Sequence, residues 1–191
     1  CSKSSPAPGS ARSFTHDGRG MTGAPTIRLA RAADLAQLAD VQLSAGELFR
    51  GTHMDFAADH PPTPLADFEA ACADASLWVA ADGATCTGLL LAEVARDDLH
   101  ILELSVAATA QRCGIGSALM AAAIAAARAR GLASLTLTTD RTLPWNAPFY
   151  ARQGFVILTP DATPGWLRAI LRREASAGLK PEWRCAMHLD L

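Results

Sequence analysis

The segment Gln111-Arg112-Cys113-Gly114-Ile115-Gly116-Ser117 joins an apolar stretch, Leu99 to Val106, to an alanine-rich one, Ile115 to Arg130. The first has the pattern of a strand and the second that of a helix, so the chain passes from strand through glycine turn into helix. The first N–H groups of such a helix have no intrahelical partner, and the aligned peptide dipoles place about half a positive charge beside them. Phosphate oxygens supply both the missing acceptors and the negative charge. Gly114 and Gly116 carry no Cβ, which allows positive φ and lets a diphosphate approach the amides closely. The turn and its helix contain no Asp or Glu to compete for that site. Arg128 and Arg130 fall in the last turn, where the dipole favours cations, and Gly131 ends the helix.

A dinucleotide fingerprint would need Gly-x-Gly-x-x-Gly and an acidic residue about twenty positions later. No third glycine stands in register here. Instead, Gln111-x-x-Gly114-x-Gly116 after Leu104-Ser105-Val106, followed by a helix and a second strand, resembles the acetyl-CoA-binding motif of the GNAT acyltransferases. A second resemblance lies downstream, where Tyr150-x-x-x-Gly154-Phe155 matches the pattern in which a helix tyrosine reaches the coenzyme A sulfur. The asparagine usual seven residues before that tyrosine is replaced by Leu143, and Asn146 stands four residues before it.

The resemblance covers Thr26 to Leu191. It implies a single-domain α/β fold, with a central mixed sheet of about seven strands and helices on both faces. It also implies acetyl-CoA as co-substrate, contacted by Leu104, Ser105, Val106, Gln111, Arg112, Cys113, Gly114, Ile115, Gly116, Ser117, Asn146 and Tyr150.

Composition narrows the alternatives. A chain of 191 residues, 50% of them hydrophobic, supports one full core. A net charge of -2 leaves no electrostatic footprint for nucleic acid or an anionic membrane. Cys1, Cys72, Cys86, Cys113 and Cys185 are odd in number and scattered, which fits neither a disulfide framework nor a zinc site and leads us to expect a reducing cytoplasm. The longest apolar run, Ala118 to Ala127, is too short to span a bilayer. His53 and His60, near Asp55 and Asp59, do not have metal-ligand spacing, so no metal is expected. Residues 1–25, rich in Ser, Gly and Pro, are expected to form a disordered tail, with Met21 the expected native start.

Along the rest of the chain, Thr26 to Ala30 is a predicted strand and Asp34 to Ser44 a predicted helix. Gly46 to Pro64 mixes aromatic and charged residues before a proline cluster, giving a short helix and a loop. By the resemblance this region overlies the acyl-acceptor pocket, with Phe49, Arg50 and Trp145 contacting substrate. Leu65 to Ala75 is helical, and Leu77 to Ala81, Thr85 to Ala95 and Leu99 to Val106 form an antiparallel meander. Ser134 to Thr138, entered through a helical crossover, should run parallel to the central strand and diverge from it to open a cleft. A helix capped by Asn146 and ended by Gly154, a strand Phe155 to Leu158, a helix Thr163 to Ala177 and a strand Arg184 to Leu191 complete the chain. Strict alternation on the central strand puts His100, Leu102, Leu104 and Val106 on one face and Ile101, Glu103 and Ser105 on the other. On that reading only one of His100 and Glu103 faces a site.

Direct acyl transfer to an amine requires a base, carbonyl polarisation and an acid for the departing thiolate. The expected acid is Tyr150. Glu103 is the first candidate base, directly or through water, His100 is the second, and the N–H of Val106 or its neighbour polarises the carbonyl. The expected acceptor is a primary amine of a small molecule or a peptide. No nucleic-acid or membrane partner is expected, and a homodimer stays open. The competing reading is a non-catalytic acyl-CoA-binding sensor or interaction module, which would not need Tyr150.

Overall fold

A computed structural model describes residues 25–191, and the tail and start expected before them lie outside the described residues. Strands β1 (Thr26–Leu29), β2 (Leu77–Asp82), β3 (Thr85–Ala95), β4 (Asp98–Val106), β5 (Ser134–Asp140), β6 (Val156–Ile157) and β7 (Arg184–Asp190) form one mixed sheet. Its order is β1-β2-β3-β4-β5-β7-β6, so the last strand inserts between the two before it. The first four strands pair antiparallel with their neighbours, whereas β4 and β5 run parallel. The helices are α1 (Leu38–Gly46), α2 (Leu65–Ala73), α3 (Ile115–Ala129), α4 (Ala147–Arg152) and α5 (Gly165–Ser176).

Alternation along the strands gives the sheet two apolar faces. On one, Trp78, Ala80, Leu90, Leu99 and Leu135 pack against Ile115, Leu119 and Ala123 of α3, with Ala147 and Tyr150 of α4 at the margin. On the other, Leu77, Val79, Leu89 and Leu91 receive Leu38 and Val41 of α1 and Phe68 of α2. Gly88 sets the distance between α3 and the sheet. A Cβ there would lie 3.1 Å from Ile115 and 3.2 Å from both Leu119 and the Ser105 carbonyl oxygen, so no larger residue lets the helix seat this closely.

Two features position the site. The β4–β5 pairing covers only Asp98–Ile101 against Ser134–Leu137. At the same level β4 carries a bulge, since Leu91 pairs with Glu103 and Ala92 with Ile101, leaving Leu102 without a partner. The extra residue resets the alternation. Glu103 therefore shares a face with Leu91, and His100 shares that same face through its pair with Glu93. The expectation that His100 and Glu103 point to opposite faces is corrected by this bulge. Leu104 and Val106 turn instead to the α3 face, beside Leu99 and Ile101.

The helix expected from Asp34 also departs from its pattern. A 3₁₀ turn spans Ala32–Gln37, and the regular helix begins only at Leu38. The buried Asp34 carboxylate accepts from Arg28 at 2.6 and 2.9 Å and from the Arg31 N–H at 2.7 Å, which pins the first turn to β1. The Arg28 hydrogen bond holds the Asp34 carboxyl down to about 2. A carboxyl depressed in the folded state contributes stability above its unfolded value near 4, and that contribution is lost as pH falls through the folded value. Asp34→Asn is therefore expected to lower the Tm at pH 7 and to flatten the stability loss between pH 4 and about 2, measured by thermal unfolding across that range.

Candidate active site

Beyond Ile101 and Leu137 the parallel strands separate, and a cleft of about 880 Å³ opens through the gap. Its walls come from both faces of the sheet. At one end lie the turn after β4 and the start of α3, and at the other lie the segment after α1 and the turn after β5.

The turn closes with Gly114 at φ 80°, a left-handed conformation in which a Cβ would meet nothing, so glycine is required there by backbone geometry alone. Gly116 differs, because its φ is helical and a Cβ would sit 3.4 Å from the tip of the Phe149 ring. The expectation that both glycines supply positive φ holds only for Gly114. Arg112 is itself left-handed, at φ 61°, a conformation that non-glycine residues adopt at a cost and that gathers at ligand sites. No side chain caps α3, so its first N–H groups face the cleft unpaired. Arg112 and Arg152 also line this end, and neither forms an ion pair among the described residues. Two uncompensated cations beside a helix N-terminus suit a polyphosphate. Between this anion site and the centre of the cleft, the edge of β4 from Glu103 to Val106 has no strand partner on its β5 side. The Val106 carbonyl on that stretch accepts from Gln111 Nε2 at 3.1 Å.

The turn and β4 edge bring Leu104, Ser105, Val106, Gln111, Arg112, Gly114, Ile115, Gly116 and Ser117 to the cleft, and Asn146 and Tyr150 join them. Cys113 points away, exposed, with its thiol against the Gln111 carbonyl oxygen at 3.4 Å. Asn146 stands at the N-cap of α4 but makes no capping bond with its side chain, which leaves the amide free toward the cleft. Leu143, at the position where the resemblance has asparagine, is buried.

At the centre sit two half-buried ionisable groups. Glu103 accepts a 2.5 Å hydrogen bond from the Ser105 hydroxyl. Tyr150 packs edge-on against Phe149 and Phe155, at ring separations of 5.2 and 5.9 Å, while its hydroxyl has no hydrogen-bond partner among the described residues. Burial pushes the Tyr150 phenol well above its ordinary range, the Glu103 charge adds to the rise and Arg184 opposes it. His100 lies elsewhere. It is 2% exposed, it contacts Thr136 Oγ1 at 3.0 Å through Nδ1, and it meets the Trp166 ring edge-on at 5.2 Å. Burial depresses it to about 4, so it is a neutral packed imidazole outside the cleft lining.

The end of the cleft away from α3 is lined by Leu48, Phe49, Met54, Pro61 and Trp145. Phe49 and Trp145 face each other edge-on at 6.3 Å. Arg50 turns outward to Asp59, at 2.6 and 2.8 Å, and does not line the cleft. Arg184 does line it, but its guanidinium is occupied by Glu174 at 2.9 and 3.0 Å. Arg152 and Arg184 were not legible in the sequence, since each acts here only because a remote strand or helix delivers it to the gap.

Gly116→Asp places a carboxylate at the mouth of the anion site and displaces only the end of a ring, so the variant should fold. Acetyl-CoA at a hundredfold excess over its Kd is expected to raise the wild-type Tm by roughly 5 °C or more, and Gly116→Asp to abolish that rise. Differential scanning fluorimetry checks this, and an unchanged rise would put the coenzyme elsewhere.

Residues 45–155 match the model of the acetyltransferase (GNAT) family. Among solved structures, the PaiA N-acetyltransferase of Thermoplasma acidophilum, in complex with coenzyme A, is similar at a TM-score of 0.63 and 15% identity, covering 87% of this chain and 98% of that one. The ribosomal-protein-S18-alanine N-acetyltransferase of Escherichia coli is similar at 0.59 and 17% identity, covering 86% and 92%. Rv2747 of Mycobacterium tuberculosis, in complex with CoA, is similar at 0.61 and 20% identity, covering 87% and 99%. With more than half of the chain matched by the family model and the same fold in these structures, the protein belongs to the GNAT acetyltransferase family.

Proposed function

We propose that this acetyltransferase moves an acetyl group from acetyl-CoA to a primary amine of a small molecule or peptide by direct attack, with Tyr150 as general acid and Glu103 as base. The observation that carries the reading is the unpartnered Tyr150 hydroxyl set in the same gap as Glu103. With no partner among the described residues and a position on the cleft wall, that hydroxyl is free to reach a bound ligand.

The co-substrate fits the residues present. The unpaired α3 amides with Arg112 and Arg152 would hold its diphosphate, and the open β4 edge offers backbone groups to its amide-bearing arm. When bound, its thioester supplies an activated acyl carbon and a thiol leaving group. Each residue then has a role set by its surroundings. Glu103, on the acceptor side of the sheet, attracts an ammonium and takes its proton directly or through water. The N–H of Val106 or its neighbour polarises the carbonyl. Tyr150 stays protonated because burial and the nearby carboxylate disfavour the phenolate. Tyr150 then gives its proton to the departing thiolate as the carbon–sulfur bond breaks, and the phenolate so formed, disfavoured by the same burial, regains a proton from solvent in the cleft.

Steady-state thiol release with acetyl-CoA and a panel of amines tests the reading. Release with no amine at all, while acetyl-CoA still binds, would overturn it. Tyr150→Phe is expected to lower kcat and kcat/KM together by about a hundredfold with the acetyl-CoA Kd unchanged, because it removes only the hydroxyl. The loss should shrink with a donor whose thiol leaves without protonation. The wild-type rate should show no alkaline fall from Tyr150 below about pH 10, the ordinary phenol value that burial moves upward.

A further inference from the structure

Asp140, the last residue of β5, is a carboxylate with 0% exposure. Its Oδ1 accepts from the Thr142 N–H at 2.7 Å, the Thr142 hydroxyl at 2.8 Å and the Leu143 N–H at 2.9 Å. Its Oδ2 lies 2.6 Å from His53 Nε2, which donates to it. Burial alone would raise the Asp140 carboxyl, but these hydrogen bonds outweigh it and hold the group below its usual range. The two oxygens serve different segments. Oδ1 orders the turn that leads into Trp145, and Oδ2 reaches across to the segment after α1.

That second segment behaves as a unit. The Thr52 hydroxyl donates to the Phe49 carbonyl at 2.7 Å and accepts from the Met54 N–H at 3.0 Å, so a tether on His53 holds Phe49 and Met54 as well. The His53 ring also lies on Trp183 at 4.1 Å, with the Lys180 ammonium 4.4 Å from the same indole. The Trp183 carbonyl in turn accepts from the Arg141 N–H at 2.7 Å. Neither Asp140 nor His53 lines the cleft, while Phe49, Met54 and Trp145 do. A buried carboxylate is a costly way to hold two loops unless their spacing matters, because one apolar residue would fill the volume without the desolvation penalty.

We propose that Asp140 and His53 are positioning residues that set the width of the acceptor end of the cleft, by tying the Phe49–Met54 segment and the Trp145 turn to the end of β5. The pair thereby fixes where the Phe49–Trp145 ring contact stands, and so which amines fit against it. This rests on the proposed transfer to an amine at that end of the cleft.

The test uses His53→Ala and His53→Gln, since Asp140→Ala would orphan several buried donors and could prevent folding. Glutamine can keep a donor near the position of His53 Nε2 while losing the ring. The loss of a hydrogen bond to a buried carboxylate in His53→Ala should raise the amine KM by roughly tenfold or more, with kcat changed less and the acetyl-CoA Kd unchanged. His53→Gln should restore the KM to within about threefold of wild type, a residue of lost stacking. Amide exchange in residues 47–59 should quicken in His53→Ala and return toward wild type in His53→Gln. An amine KM equal in all three proteins, or a fall in kcat at unchanged KM, would overturn the proposal. Absence of thiol release from the wild type with every amine would instead overturn the transfer reading, and unchanged exchange at 47–59 in His53→Ala would then still overturn the tether.

Discussion

The parting of β4 from β5 is the constraint on which the rest of the site depends. Two parallel strands that stayed paired to their ends would leave no gap and no free β4 edge, and the residues on the two faces of the sheet would never meet. Pairing stops at Ile101 and Leu137, and the next residue on β4, Leu102, is the bulge. A bulge bends its strand and raises the local twist, which carries β4 away from β5. It also shifts the alternation, so that Glu103 faces the side of α1 while Leu104 and Val106 face α3. The gap therefore collects a carboxylate from one face and Tyr150 from the other.

Charge is divided along the cleft in keeping with that geometry. At the α3 end, Arg112, Arg152 and the helix N-terminus have no carboxylate paired with them among the described residues. Away from α3, Arg184 lines the wall but is neutralised by Glu174, which also accepts from the Thr138 hydroxyl at 2.6 Å. Glu103 is thus the uncompensated charge at the centre. The cationic end suits a polyanion, and the Glu103 charge suits a cation at the centre, where the strands separate.

Much of this was legible in the chain. The glycine turn, the alanine-rich helix, the meander and the parallel crossover each carry a local pattern, and each appears where the pattern puts it. Gly114 could be read as a left-handed residue because turn chemistry demands it. The bulge could not. In His100-Ile101-Leu102-Glu103-Leu104-Ser105-Val106 either register gives a clean alternation, and only the pairing with β3 shows which residue is extra. For the same reason the burial of His100 against Trp166, from a helix more than sixty residues later in the chain, left no local mark. Arg50 looked available for substrate because its bond to Asp59 forms only once the intervening segment folds back on itself. Asp140 and His53 sit eighty-seven positions apart, and neither has a sequence neighbour that signals the other. Gly88 likewise shows its need only once α3 lies over it.

The central claim is that the gap made by the parting strands, and no other surface, receives the coenzyme. Amide hydrogen exchange with and without acetyl-CoA tests it most directly, since the unpaired β4 edge and the uncapped α3 amides are the groups that gain partners. The account predicts slowed exchange concentrated at Leu104 to Val106 and at Gly114 to Ser117. Binding of acetyl-CoA that leaves both segments exchanging at their free rates would contradict it.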